Sequence, residues 1–496
     1  MTPNALPRLS RAALGSVAPK IAIPTYDPAA VTPGIVHLGF GGFHRAHMAR
    51  YTHDLMQRGA DALSWGIIGA GLMPADARIR DALTPQDGLY SLVERDADGE
   101  RVTVIGSTPQ VILAGRDSAA LLDAIDGETI RIVSLTVTEH GYCLDTATKR
   151  LAPDHPAIAA DLRSPDRPHT AIGVIVEAYR RRKDATRRAF TALSCDNIQH
   201  NGDVLKTAIL DFAALRDPAL ADWIATHARF PSTMVDRITP VSQPSDIAAF
   251  AERYGVQDAW PVFCETFTQW VIEDDFADGR PAWEDAGAQL VADVAPYEFM
   301  KLRLLNASHL AIAGLGRLMG HTFIDQTMSD PRMARYMAAL MDRETGPTLM
   351  SVPGVDLPAY KAKLVQRFAN PTIKDTVDRV NTDAALNYLL DPIRDRLASG
   401  DSVDLLALGV AAWIRRMTGV DETGVAMTIH HPQADLLREK APQGLGDPRS
   451  VLSIRQLFGD LGDNAVFVAV VGKWLAALHA VGACRVLDQA AAELGF

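Results

Sequence analysis

A buried strand that runs straight into a glycine turn and then a helix makes the first fold choice for this chain. Residues 34–40, GIVHLGF, are apolar and β-branched enough for a strand covered on both faces, and Gly39-Phe40-Gly41-Gly42-Phe43-His44 overlaps its end. Helical spacing resumes in Ala46, Ala49, Leu55 and Met56. In such an arrangement one glycine makes the tight turn, and another lets the backbone approach a pyrophosphate at the helix N-terminus. His44 stands where the third glycine of the usual GxGxxG would be, so an ordinary strand-to-helix turn competes with the nucleotide reading.

The alternation continues. Residues 65–71 (WGIIGAG), 130–138 (IRIVSLTVT) and 190–197 (FTALSCDN) read as further strands, the last followed by a helix over about 203–215. VTVIGST and QVILAG read as a small hairpin pair. Strands alternating with helices predict a doubly wound parallel sheet. After about residue 295, β-rich runs give way to helical periodicity, as in EFMKLRLLNASHLAIAGLGRLMG and FVAVVGKWLAALHAVGACRVLDQAAAEL. The sequence therefore predicts an α/β domain over 1–294 and a mainly α-helical domain over 295–496, with the boundary near Asp293 to Pro296.

Composition then narrows the function classes. A chain of 496 residues, 48% hydrophobic and 22% charged, can bury two cores. With a net charge of −11, nucleic acid is not an expected partner, and the basic run Arg180-Arg181-Arg182-Lys183, with Arg187 and Arg188, reads as a solvated helix face. Cys143, Cys195, Cys264 and Cys484 are scattered without metal spacing, which predicts no zinc site and no disulfide framework, and fits a cytoplasmic setting. The N-terminal segment is broken by prolines and lacks a signal-peptide core, and no apolar run has the length of a membrane span.

The segment richest in chemistry is Tyr297 to Leu310, YEFMKLRLLNASHL. On a regular helix Glu298, Lys301, Asn306 and His309 fall within an arc of roughly 140°. The helix is otherwise apolar on several sides, which predicts burial. A buried lysine is costly unless paired or neutral, and desolvation favours the neutral amine that can take a proton from a hydroxyl. An asparagine amide can stabilise the alkoxide that forms, and a histidine can orient the hydroxyl. A lysine that snorkels to solvent, with Asn306 and His309 as satisfied core polar groups, is the competing reading. For a nucleotide cofactor, Asp76 is the nearest acidic residue after the second strand and favours NAD, while Arg78 and Arg80 leave NADP open.

Several segments together resemble the polyol-specific long-chain dehydrogenases, the mannitol 2-dehydrogenase and fructuronate reductase family: GFGGFHRAH, TEHGY, SCDNIQHNG, VDRITP, QWVIEDDF, KLRLLNASH, GVDLPAY and RFANPTIKDT. The resemblance covers nearly the whole chain. It implies a Rossmann-type N-terminal domain, a mainly helical C-terminal domain, an active site in the cleft between them, and metal-independent NAD(P)-linked interconversion of a sugar alcohol and a ketose. The family's Lys-x4-Asn-x2-His signature falls on Lys301, Asn306 and His309, with Lys301 as acid–base residue. It further implies Asn197 as a second oxyanion amide, Glu298 in proton exchange with water, and Asp236 and Arg379 at substrate. The cofactor would meet Gly39, Phe40, Gly41, Gly42, Asp76, Thr136 and Val137. Where the family has a lysine, this chain has Asn387, a change at a substrate contact; His140 likewise replaces a lysine in TEHGY. D-Mannitol and D-fructose are the expected pair, hexuronate reduction is the second, and a silent NAD-binding sensor the third. The resemblance also implies a monomer.

Overall fold

The computed structural model describes residues 6–115, 118–145 and 148–496, the side chain of Asp383 excepted. The chain divides into two compact units, Met1–Val294 and Ala295–Phe496.

The first unit is built on a five-stranded parallel sheet of β1 (Pro33–Leu38), β2 (Gly66–Gly71), β3 (Gln110–Leu113), β4 (Ile132–Leu135) and β5 (Thr191–Ser194). The spatial order is β3-β2-β1-β4-β5. The order reverses between β1 and β4, and their carboxyl ends are where an open α/β sheet leaves a crevice for a ligand. All of β2, β4 and β5, and β1 from Gly34 onward, are buried, as expected for a sheet covered on both faces.

Two strand expectations need correction. β1 ends at Leu38, where Gly39 leaves the strand at φ +86°, and β4 covers only Ile132–Leu135, with Thr138 beyond it at φ +63°. VTVIGST and QVILAG do not form a hairpin. Gly99–Ile105 pairs antiparallel with Tyr90–Asp96 in a separate four-stranded sheet, and Gln110–Leu113 joins β2 in parallel. The link between them cannot close a tight turn, since Ser107 gives its carbonyl to the Ile67 N–H (2.9 Å) and its hydroxyl to the Ala49 carbonyl (2.7 Å). A third sheet holds Thr233–Asp236, antiparallel to Gln269–Glu273, which pairs with Gln289–Val291.

Buried arginines tie these layers together. Arg237 has no exposed side-chain surface; it donates to the carbonyls of Ala46 (2.6 Å) and Glu265 (3.1 Å) and pairs with Glu94. Glu94, equally buried, also pairs with Arg50 (2.7 Å) and Arg101 (2.9 Å). The basic run also departs from expectation. Arg182 is buried and donates to the carbonyls of Ile125 (2.7 Å), Gly127 (2.9 Å) and Ile130 (2.9 Å), satisfying acceptors at and beyond a helix end. Arg180 and Arg181 pair with the buried Glu177.

The second unit is helical. Ala295–Met300 continues without a break through Lys301–Asn306 into Ala307–Leu318. The last of these packs on Val377–Asp383 and on Asp404–Arg416, a helix buried from Leu405 to Arg416. Asp404–Arg416 starts with its Leu405 and Leu406 N–H groups bonded to the carboxylate of Glu344 (2.9 and 2.7 Å). Among the described residues no helix is long and apolar enough to cross a membrane.

Candidate active site

At the end of β1 the glycines differ in what they do. Gly39 has φ +86°, and a Cβ there would sit 2.1 Å from the Thr136 carbonyl oxygen, so no side chain fits. A Cβ on Gly41 would meet nothing nearer than 3.8 Å, and one on Gly42 nothing nearer than 3.9 Å. A Cβ at either would make only ordinary contact, and the helix that starts at Gly42 has no side-chain cap. Uncapped N–H groups beside room for a ligand fit the pyrophosphate of a dinucleotide. Phe40 is buried against Gly69, where a Cβ would strike its ring at 2.5 Å.

Behind this turn lies a buried imidazole pair. His37 on β1 and His44 stack with centroids 3.4 Å apart. A neutral His37 sits between the Ser134 and Thr136 hydroxyls (2.9 Å each), in accord with burial pushing it down to about 3. Burial likewise holds His44 well below the usual range. Two neutral rings can stack where two imidazolium ions would repel. The distinctive FHRAH stretch is thus largely packing: Arg45 is buried and donates to the Trp260 carbonyl (2.7 Å), and His47 bonds the Gln269 carbonyl (2.9 Å).

The turn after β4 is clamped by a residue that motif reading passed over. Asp196 accepts from the N–H groups of Val137 (3.2 Å) and Thr138 (2.7 Å) and from the Tyr142 hydroxyl (2.8 Å). Thr138 takes φ +63°, which a non-glycine residue adopts only when its surroundings hold it there. The neighbouring Asn197 is exposed just beyond β5. Asn201, fully buried, donates to the carbonyls of Asp196 (2.9 Å) and Thr233 (2.9 Å) and accepts from the Thr233 N–H (2.9 Å). It ties the segment carrying Asn197 to the strand that ends in buried Asp236. Asp76, after β2, accepts from the Met73 N–H (2.9 Å); Arg80 pairs with Asp81 (2.6 Å) and Arg78 lies over the Trp260 ring.

In the second unit, Glu298, Lys301, Asn306 and His309 lie on one continuous, buried helical path, with Lys301 only 8% exposed and Asn306 9%. Its geometry corrects the expected regular helix. Lys301–Asn306 is a π-turn, closed by the Ala307 N–H bonding the Leu302 carbonyl five residues back. A regular helix would set Lys301 and Asn306 roughly 140° apart. In a π-turn the fifth residue comes back over the first, so the amide is carried toward the amine. Such turns are inserted where a side-chain arrangement matters more than helix regularity.

His309 and Arg379 meet at one carboxylate. Asp375 Oδ2 is 3.3 Å from His309 Nε2, and the Arg379 guanidinium grips both Asp375 oxygens at 2.6 Å. Arg379 is half exposed, and Asn387 is exposed at the start of Asn387–Ser399. Within each unit the structure thus gathers most of the candidates: the Gly39–Gly42 turn, Thr136, Val137, Asn197 and Asp236 in the first, and the lysine helix with Arg379 in the second. Asp196, Asn201, His37 and Asp375 were missed because each acts on another group rather than on a ligand. Two of them sit inside SCDNIQHNG, whose density of polar residues after a buried strand was the available signal. Among the described residues, no group of three His, Cys, Asp or Glu side chains is arranged to hold a metal ion.

Comparison with known proteins agrees with this layout. The model for the mannitol dehydrogenase Rossmann domain matches residues 33–285, and that for the mannitol dehydrogenase C-terminal domain matches 293–479. A solved ternary complex of Pseudomonas fluorescens mannitol 2-dehydrogenase with NAD and D-mannitol is 42% identical, with TM-score 0.87 over 97% of this chain and 99% of that one. Mannitol 2-dehydrogenase of Phaeosphaeria nodorum is 41% identical over 95% of this chain and 83% of its own. D-mannonate oxidoreductase of Escherichia coli is 43% identical over 91% and 94%. The glycine turn at a Rossmann switch point, the buried lysine helix and these full-length matches lead to one conclusion: the chain belongs to the mannitol dehydrogenase family and is an NAD-dependent oxidoreductase of the polyol dehydrogenase type.

Proposed function

We propose that this enzyme interconverts D-mannitol and D-fructose with NAD, using Lys301 as its acid–base residue and no metal ion. The observation that carries the reading is the π-turn, which holds a buried amine and a buried amide five residues apart on one helix. Lys301 Nζ takes the proton from the carbinol hydroxyl during oxidation and returns it to the ketone oxygen during reduction. The Asn306 amide donates to the oxygen as negative charge develops there, and Asn197 supplies the second such amide. His309, Asp236 and Arg379 hold substrate hydroxyls, and Glu298 passes the proton on to water. NAD, when bound, supplies the hydride acceptor.

Gly39, Phe40, Gly41 and Gly42 would hold the pyrophosphate, Asp76 the adenosine ribose, and Thr136 and Val137 the nicotinamide side. Arg80 and Arg78 already have partners in Asp81 and Trp260, which supports NAD over NADP. The clamp at Asp196 gives a direct check of the last assignment. Asp196→Asn places an N–H2 group against donors, so the dissociation constant for NADH, followed by fluorescence, should rise about 10-fold or more, the range seen when groups supporting a site are altered. An unchanged constant would separate the β4 turn from the cofactor.

Hexuronate reduction is the second reading, favoured by the 43% identity to the Escherichia coli D-mannonate oxidoreductase. Asn387 leans against it, because a carboxylate substrate calls for an additional cation. The decisive experiment is NADH oxidation with fructose and with fructuronate. Fructose should give the higher kcat/KM, with activity surviving exhaustive treatment with chelator. A preference for fructuronate overturns the substrate, chelator sensitivity overturns the metal-free mechanism, and NAD binding without turnover on any polyol or hexuronate overturns the enzyme reading.

A further inference from the structure

We propose that Asp375 is a positioning residue, a single carboxylate that sets the orientation of both His309 and Arg379. The proposal rests on the reading of those two side chains as substrate contacts. The geometry is one of shared acceptors. Arg379 Nε and a terminal nitrogen each lie 2.6 Å from a different Asp375 oxygen, a bidentate fork that fixes the guanidinium plane. One of those oxygens also faces His309 Nε2 at 3.3 Å, so the imidazole and the guanidinium are referred to the same anion. Phe368 lies against the imidazole at 4.8 Å between centroids and limits its alternatives.

The carboxylate is itself held firmly. Asp375 is buried, and its carbonyl accepts from the Ile324 N–H (2.9 Å) while the Val377 N–H bonds the Thr322 carbonyl (3.0 Å), so the backbone on either side is pinned to the 322–324 segment. The Thr376 hydroxyl caps the next helix by accepting from the Arg379 N–H (3.2 Å), which fixes where the arginine leaves the backbone. Burial pushes the Asp375 carboxyl up, but the His309 imidazole and the Arg379 guanidinium beside it outweigh that and hold the group well below the usual carboxylate range. Arg379 is half exposed, and the fork fixes the plane of its guanidinium.

The test is a mutant cycle on whichever polyol the enzyme turns over. Asp375→Asn should raise the KM for polyol about 10- to 100-fold, the range for outer-shell groups that orient contacting residues, while kcat falls less and NADH affinity stays within about twofold. A merely structural role would not produce that split. In a His309→Ala/Arg379→Ala background the same change should add less than about threefold, because the groups it orients are gone. Multiplicative effects, or an unchanged KM in the single variant, overturn the proposal. Should Asp375→Asn not fold, Asp375→Glu, which keeps the charge and displaces it by one methylene, should show the same split in weaker form, and a wild-type KM there overturns it equally. Lys301→Ala run alongside keeps the two readings apart: activity retained in that variant is a failure of the proposed mechanism, not of the Asp375 assignment.

Discussion

Lys301→Ala is expected to lower polyol oxidation by about 10²- to 10⁴-fold, the usual contribution of a positioned general base, while NADH binding stays near that of the wild type. The separation follows from where the lysine sits. It is on the helical unit, near the start of a path that also carries Glu298, Asn306 and His309, whereas the glycine turn, Asp76 and the Asp196 clamp all belong to the N-terminal unit. Truncation at Lys301 therefore removes the proposed proton acceptor and leaves the elements proposed to hold the dinucleotide intact. Because the amine must be neutral to accept a proton, oxidation by the wild type should slow as pH falls, and reduction should not share that loss. Added primary amines, small enough for the space the side chain vacates, should restore part of the rate in the variant. Turnover unchanged by the substitution, measured as NADH formation at 340 nm, would remove Lys301 from the mechanism.

Glu94→Gln is expected to destabilise the N-terminal unit by roughly 3–5 kcal/mol, the range for breaking a buried pair from one side. Arg237 would be left fully buried with its charge uncompensated, and Arg50 would lose its buried partner as well. The pH dependence carries the same signature. Burial pushes the Glu94 carboxyl up, but Arg50, Arg237 and Arg101 outweigh that and bring it down from 4.5 to about 2. A depressed carboxyl contributes stability that is fully present above its unfolded value and is lost as pH falls through the folded one. Wild type should therefore lose this contribution between about pH 4.5 and pH 2, and Glu94→Gln should lack that part of the acid dependence. Urea midpoints at pH 7 and pH 3 would show it; equal losses in both proteins would mean that Glu94 is not the group responsible. Arg237 follows Asp236 directly, so loosening it should also raise the polyol KM.

Much of this was legible in the chain itself, and the reasons differ from place to place. β1, β2, β4 and β5 were readable because strands buried on both faces must be continuous apolar runs. The Gly39 turn was readable because nothing but glycine fits at φ +86° with a carbonyl 2.1 Å from the Cβ position. The Gly99–Ile105 and Gln110–Leu113 strands were mispaired because local spacing cannot say which sheet a strand joins when the link between them is itself buried. The lysine helix was placed correctly as a segment but not in its pitch: apolar periodicity reports a mean of 3.6 residues per turn and is blind to one extra residue. Asp196, Asn201 and Asp375 escaped because a group that holds another in place leaves no spacing pattern; its partners lie 4 to 66 residues away in the chain.

The π-turn also gives this helix one residue of slack. Removing one residue from the 301–306 stretch would let it relax to ordinary pitch with the residues beyond keeping roughly their faces, because four steps of about 100° cover nearly the turn that five residues make there. Within Ala307–Leu318, which has no such slack, a deletion would swing everything downstream in the helix by about 100° and change the flank it presses on its neighbours. Single-codon deletions should therefore be tolerated far less in 307–318 than in the π-turn before it.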